Sequence, residues 1–183
     1  MPWDPADFHP LAFALLESRR CRPIPLSASE FRPQDLPPNL TSTDPQHLFP
    51  HARDAKAALS GLLLIAGHWD LSHQIAQDVS SREGSYWHAI AHRIEPDSWN
   101  SGYWFRRVGE HPIFADLHEQ ATMLSASNVG WRPKTPWDPQ AFLAFCDLAR
   151  TAPGIAKYEY AQQIQRAECD LLFSWCALKV MEL

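Results

Sequence analysis

The sequence predicts an all-α fold: a compact array of short antiparallel helical hairpins, irregular and partly tetratricopeptide-like, with a long N-terminal loop or arm. Three observations carry this. Apolar residues recur three and four positions apart through most of the chain, the period of a helix with one buried face. Sixteen prolines and seven glycines cut that pattern into short pieces. No segment alternates apolar and polar residues as a half-buried strand would. The hairpins resemble tetratricopeptide pairing, but a clean repeat of about 34 residues is missing.

The elements follow in order. Phe8, Leu11, Ala12, Leu15 and Leu16 predict a helix within residues 7–20. Residues 22–50, rich in Pro, Ser, Thr and Asp, read as an extended arm, with Asp44-Pro45 able to open a helical turn. So long a stretch exceeds what a connector needs, so it should lie across the domain, beside the site. A helix over 51–66 should end at Gly67, with Asp70 capping the next over 71–79. Residues 84–94 form a helix that Pro96 stops, and Asp97 or Ser98 caps another reaching Gly109. Pro112 opens a helix toward Leu124, and residues 125–137 form a loop. Asp138-Pro139 opens a helix to Arg150. After Pro153-Gly154 the longest helix, 156–180, carries Tyr160, Ile164, Ala167, Leu171, Trp175 and Leu178 on one stripe.

The 183 residues fit one domain, 1–183, and 45% hydrophobic content suffices for a core. A net charge of -5 argues against a nucleic-acid surface. The longest apolar run, Gly61 to Gly67, is too short to span a membrane, and Met1-Pro-Trp-Asp lacks the features of a secretion signal. A cytoplasmic protein is therefore expected. Cys21, Cys146, Cys169 and Cys176 form no CxxC unit and read as reduced, structural thiols. Eight tryptophans first supply core, and any left exposed would suit an interface, a homodimer included.

The chemistry concentrates in Glu83-Gly-Ser-Tyr-Trp-His-Ala-Ile-Ala-His-Arg-Ile-Glu-Pro-Asp97. On a helix, His88, His92 and Glu95 project from one flank, beside an apolar stripe of Trp87, Ile90, Ala91 and Ile94, with Tyr86 and Arg93 on the other side. Two imidazoles four residues apart can converge on a zinc or iron ion. Glu83, Glu95, His68, His73 or His111 are the candidates to complete that shell. The competing reading is a pair of core-edge histidines bonded to carboxylates and indoles. The glutamate of a HExxH metalloprotease is absent. On the next helix Asn100, Tyr103, Trp104 and Arg107 share a flank that could orient a polar or anionic ligand. Equally, Arg107 could pair with Glu83 or Glu95 across the hairpin. His111 precedes a helix start, where free amides favour an anion. Phosphate loops and the GxSxG elbow are absent.

This segment, continued through Ser98, Trp99 and Asn100 to Tyr103-Trp-Phe-Arg-Arg-Val-Gly-Glu-His-Pro112, resembles the signature of a family of small microbial proteins of uncharacterised activity. The resemblance covers about a quarter of the chain. It implies that Glu83, His88, His92, Glu95, Asn100, Trp104, Arg107 and His111 belong together, and it brings no substrate or cofactor.

Three functions follow from these residues. The first is a binding module whose polar-aromatic cleft (Trp87, Glu95, Asn100, Tyr103, Trp104, Arg107, His111) takes a small anionic ligand or a peptide. The second is a metal-dependent or histidine-based enzyme, with His88 or His92 as base or metal ligand, Glu83 or Glu95 as acid–base partner, and Arg107 facing developing negative charge. The third is a satisfied polar network that fixes helix register.

Overall fold

The computed structural model describes residues 3–20, 22–124, 129–151 and 156–178. Its helices are α1 (Pro10–Ser18), α2 (Pro45–Leu48), α3 (Ala55–Ile65), α4 (Trp69–Gln77), α5 (Arg82–Ile94), α6 (Ser98–Val108), α7 (Phe114–Met123), α8 (Pro139–Arg150) and α9 (Ala156–Ala177). No strand occurs among the described residues. Consecutive hairpins α3–α4 and α5–α6 pack side by side in a tetratricopeptide-like manner, while α9 lies against α3, α7 and α8. Residues 125–128, Pro153-Gly154, the end of the expected last helix beyond Leu178, and Cys21 fall outside the described residues.

Local chemistry starts most of these helices. Asp54 accepts from Ala57 N at 2.9 Å to open α3, and Ser81 Oγ accepts from Gly84 N at 3.0 Å to open α5. Ser81 also donates to Asp54 Oδ2 at 2.5 Å, so the caps of two packed helices are tied together. Asp138 caps α8 through Gln140 N and Ala141 N. Asp97, not Ser98, caps α6, while Ser98 Oγ donates to Asp147 on α8 at 2.6 Å.

Several starts differ from expectation: α3 begins at Ala55 and not at residue 51, and α7 at Phe114 and not at Pro112. The α4 helix begins at Trp69, which leaves Asp70 inside the first turn, where it complements the helix dipole but cannot cap. The residue before Trp69, His68, gives its ring Nε2 to the carbonyl of Gln34 at 2.7 Å. The turn is thus held by the arm and not by a local cap.

Every residue from Ala57 to Ile65 on α3, and from Gly84 to Ile94 on α5, is buried. These two helices meet where the Trp87 indole lies over Gly61: a Cβ there would come within 2.4 Å of Cζ2. Buried apolar residues form one cluster from Trp3 to Ala177. The arm contributes to it through Ile24, Leu26, Phe31, Leu40, Leu48 and Phe49.

The arm is a strap. Gln165 Nε2 donates to Pro25 O at 2.7 Å, Arg150 donates to Leu26 O at 3.2 Å, and Arg166 donates to Arg19 O and Arg22 O at 2.8 and 2.9 Å. These bonds fasten it across α8 and α9. Under it, α9 is buried beyond its predicted stripe, with Gln165, Glu168 and Leu172 fully enclosed.

Candidate metal centre

Two ties set the height of α4 against its neighbours. Ser60 Oγ on α3 donates to Ser72 O at 3.0 Å, and the Trp69 indole donates to Ala91 O on α5 at 2.9 Å. One turn beyond Trp69, His73 is thereby held opposite His88 and His92, which are themselves one turn apart on α5. The three ring centroids lie 4.8 Å (His73–His88), 4.6 Å (His73–His92) and 4.7 Å (His88–His92) apart. One ring nitrogen from each falls within 4.8 Å of the others. A tetrahedral ion bound at about 2.0–2.1 Å needs donors about 3.3 Å apart, so modest ring rotations would close the set.

The surroundings of His88 and His73 favour the neutral imidazole. His88 is 6% exposed, His92 is nearly buried, and His73 is half-buried. Burial, and then the neighbouring His92 and His73, push His88 down to about 4. Burial followed by His92 lowers His73 as well, against a smaller opposing effect of Glu95. Neutral imidazole is the metal-binding form, so protons do not compete at neutral pH. His88 Nδ1 is buried without a hydrogen-bond partner among the described residues. A polar atom left so costs about 1–3 kcal/mol unless something takes it.

The remaining walls come from α5 and α6. His92 Nδ1 faces Glu95 Oε2 at 3.1 Å, an arrangement that orients the ring and fixes its tautomer. Glu95 therefore backs a histidine; it does not join the three rings. Trp104 of α6 packs on His88, with centroids 4.3 Å apart and an interplanar angle of 35°. Asp97 lies near His92 and Glu95, but both its oxygens serve Asn100, at 3.1 Å to N and 2.6 Å to Nδ2. That use consumes Asn100 as well.

The other expected site residues do not join this cluster. Glu83 Oε1 accepts from Trp175 Nε1 at 3.0 Å and faces His111 Nε2 at 3.6 Å. His111 foremost, and the Trp175 indole, hold Glu83 down at about 2 against the opposing effect of burial. Glu83 thus ties α5 to the α6–α7 turn through His111 and to α9 through Trp175, away from His88 and His92. His111 Nδ1 accepts from Ile113 N at 3.3 Å, so this histidine is buried with one nitrogen occupied. Trp87 is fully buried against Gly61, a core residue with no face for a ligand. Tyr103, Trp104 and Arg107 remain together on α6: the Arg107 guanidinium lies 5.0 Å from the Trp104 ring centre. The single cleft expected of residues 83–112 is thus divided among three places, and a surface hollow of about 650 Å3 lies elsewhere, against Arg20, Gln162 and Arg166.

The sequence reading missed one buried constellation outright. Arg93, fully enclosed, pairs with Glu168 of α9 and donates from Nε to Gln165 Oε1 at 3.1 Å. Tyr86 Oη donates to the second Glu168 oxygen at 2.9 Å. The available signal was Glu168 itself, a carboxylate four residues after Ile164 and three before Leu171, beside the predicted apolar stripe. No family model, curated protein or solved structure matches the chain.

Proposed function

We propose that this protein is a metal-dependent enzyme whose ion is held by His73, His88 and His92. The observation that carries the reading is the convergence of three imidazoles from two helices, one of them with a buried nitrogen that no group among the described residues satisfies. Three protein donors leave a coordination position open, the pattern of catalytic sites; structural sites close all four. An all-imidazole set suits zinc or ferrous iron. Such an ion, when bound, supplies Lewis acidity to an oxygen of the substrate. Around it, Glu95 orients His92 and, being partly exposed, can accept or return a proton at the rim. Trp104 keeps water from the His88 side. On this reading the microbial signature is the α5–α6 hairpin that carries the centre, with α4 adding the third histidine.

The test is elemental analysis of untagged protein purified without chelator, alongside His73→Ala, His88→Ala and His92→Ala. Near-stoichiometric zinc or iron that each variant loses, with the helical circular dichroism retained, is the expected result. A wild-type chain that is metal-free and takes up no added zinc, iron or cobalt would overturn the reading.

A further inference from the structure

Most arginines of this chain are spoken for. Arg20, Arg93, Arg150 and Arg166 pair with Glu17, Glu168, Asp147 and Asp170, while Arg19, Arg32, Arg53 and Arg82 donate to backbone carbonyls. Arg107, like Arg22 and Arg106, makes no ion pair among the described residues. What sets it apart is its place: it is exposed, its Nη1 meets the Tyr103 hydroxyl at 3.5 Å, and its guanidinium lies over the Trp104 ring. In a chain of net charge -5, an accessible guanidinium without a carboxylate partner is a ready seat for an oxyanion.

Its position relates it to the three histidines. Trp104 stands between them, its ring 4.3 Å from His88 and 5.0 Å from the Arg107 guanidinium. Tyr103 meets Trp104 edge-on at 5.4 Å, and Trp99 lies parallel to Tyr103 within 9° at 6.4 Å. Trp99 is 76% exposed and Tyr103 39%. The helix thus presents flat aromatic surface that leads from the histidines to a free cation. The two exposed rings offer on the order of 300 Å2, estimated from typical aromatic side-chain areas. A stable protein interface needs about 800 Å2 on each partner, so the patch suits a small molecule better than a second chain.

Resting on the metal reading above, we infer that the substrate is a small organic anion with a flat apolar body. One end reaches the histidine-held ion, the body lies along Trp104 and Tyr103, and a carboxylate or phosphate at the far end takes the Arg107 fork. Arg107 is then a specificity-determining residue that selects dianions over monoanions of the same shape.

Cobalt-loaded protein provides the test, read by visible absorption of the ion and by tryptophan fluorescence, with terephthalate and benzoate as probes. Terephthalate carries the second carboxylate and benzoate lacks it. The expected result is about tenfold tighter binding of terephthalate, the scale of one charge-assisted hydrogen bond. Arg107→Ala should abolish that preference while leaving cobalt uptake unchanged, and Tyr103→Ala should weaken both probes. A chain that takes up no cobalt overturns the metal reading and this inference with it. A chain that takes up cobalt yet binds both probes equally, or keeps its preference in Arg107→Ala, overturns the inference alone.

Discussion

Removing the charge of Glu168 should be among the most damaging single changes available in this molecule. Arg93 and Glu168 are both fully enclosed. The guanidinium also lies 4.7 Å from the Phe142 ring centre, with one terminal nitrogen lacking a hydrogen bond among the described residues. Glu168→Gln keeps the shape but leaves a buried cation without its counter-charge. Breaking such a pair costs about 3–5 kcal/mol. For a chain of this length that amounts to a fall in Tm of about 6–20 °C. Thermal melts followed by circular dichroism would measure it. Arg93→Met combined with Glu168→Leu removes both charges together, and the double variant should recover most of the loss, since a buried pair and a well-packed apolar replacement are close in energy. Chemical denaturation of wild type, Arg93→Met, Glu168→Leu and the double variant closes the cycle. A loss below about 1 kcal/mol in Glu168→Gln, or a double variant no better than the single, would refute the reasoning.

Acid should act in two stages on metal-free protein. His88 titrates near 4 in the fold against about 6.5 unfolded, so the unfolded chain binds the proton first. Stability is full above about pH 6.5 and falls by up to about 3 kcal/mol as pH drops toward 4, with His73 acting in the same direction. Glu83, held at about 2, contributes stability that is present above its ordinary value near 4.5 and lost as pH falls toward 2. Urea midpoints at pH 7.5, 6 and 5 that stay flat would contradict the first stage, and His88→Gln should remove most of it. Gly61→Ala should destabilise by about 1–2 kcal/mol despite a helix-propensity gain of about 1, because its Cβ would press to 2.4 Å on the buried Trp87 indole. Gly102→Ala, where the nearest atom is the mobile end of Gln140 at 3.0 Å, should be neutral or stabilising. Equal effects of the two substitutions in a thermal melt would undo the packing argument.

What could be read from the chain followed the range of each interaction. Asp97 and Asp138 announce their helices because a cap acts within three residues. His88 and His92 are legible as a pair because helical spacing alone brings them together. His73 stood among five candidates for the third position, since nothing local says which face of α4 meets α5. That choice is made by Trp69 reaching Ala91 O, across 22 positions. Asp70 was misplaced for the same reason, its turn being held by Gln34 from 34 positions away. Arg93 and Glu168, 75 apart, were invisible because a charge defaults to solvent until a partner is known. Glu83, one candidate for the site, meets His111 from beyond α6 and Trp175 of α9, contacts that no local pattern reveals.

The strap has a bearing on how the molecule is made. Its carbonyls at Arg19, Arg22, Pro25 and Leu26 take their donors from residues 124 to 147 positions later. During synthesis the N-terminal portion emerges first and waits for those donors. Until α8 and α9 arrive, the carbonyls at Arg19, Arg22, Pro25 and Leu26 lack these donors. An array of true repeats can be assembled unit by unit, because each contacts only its neighbours. Here an early segment, though tied first to the α3–α4 turn, is fastened in full only when α8 and α9 follow, so completion includes a late closure beyond progressive stacking.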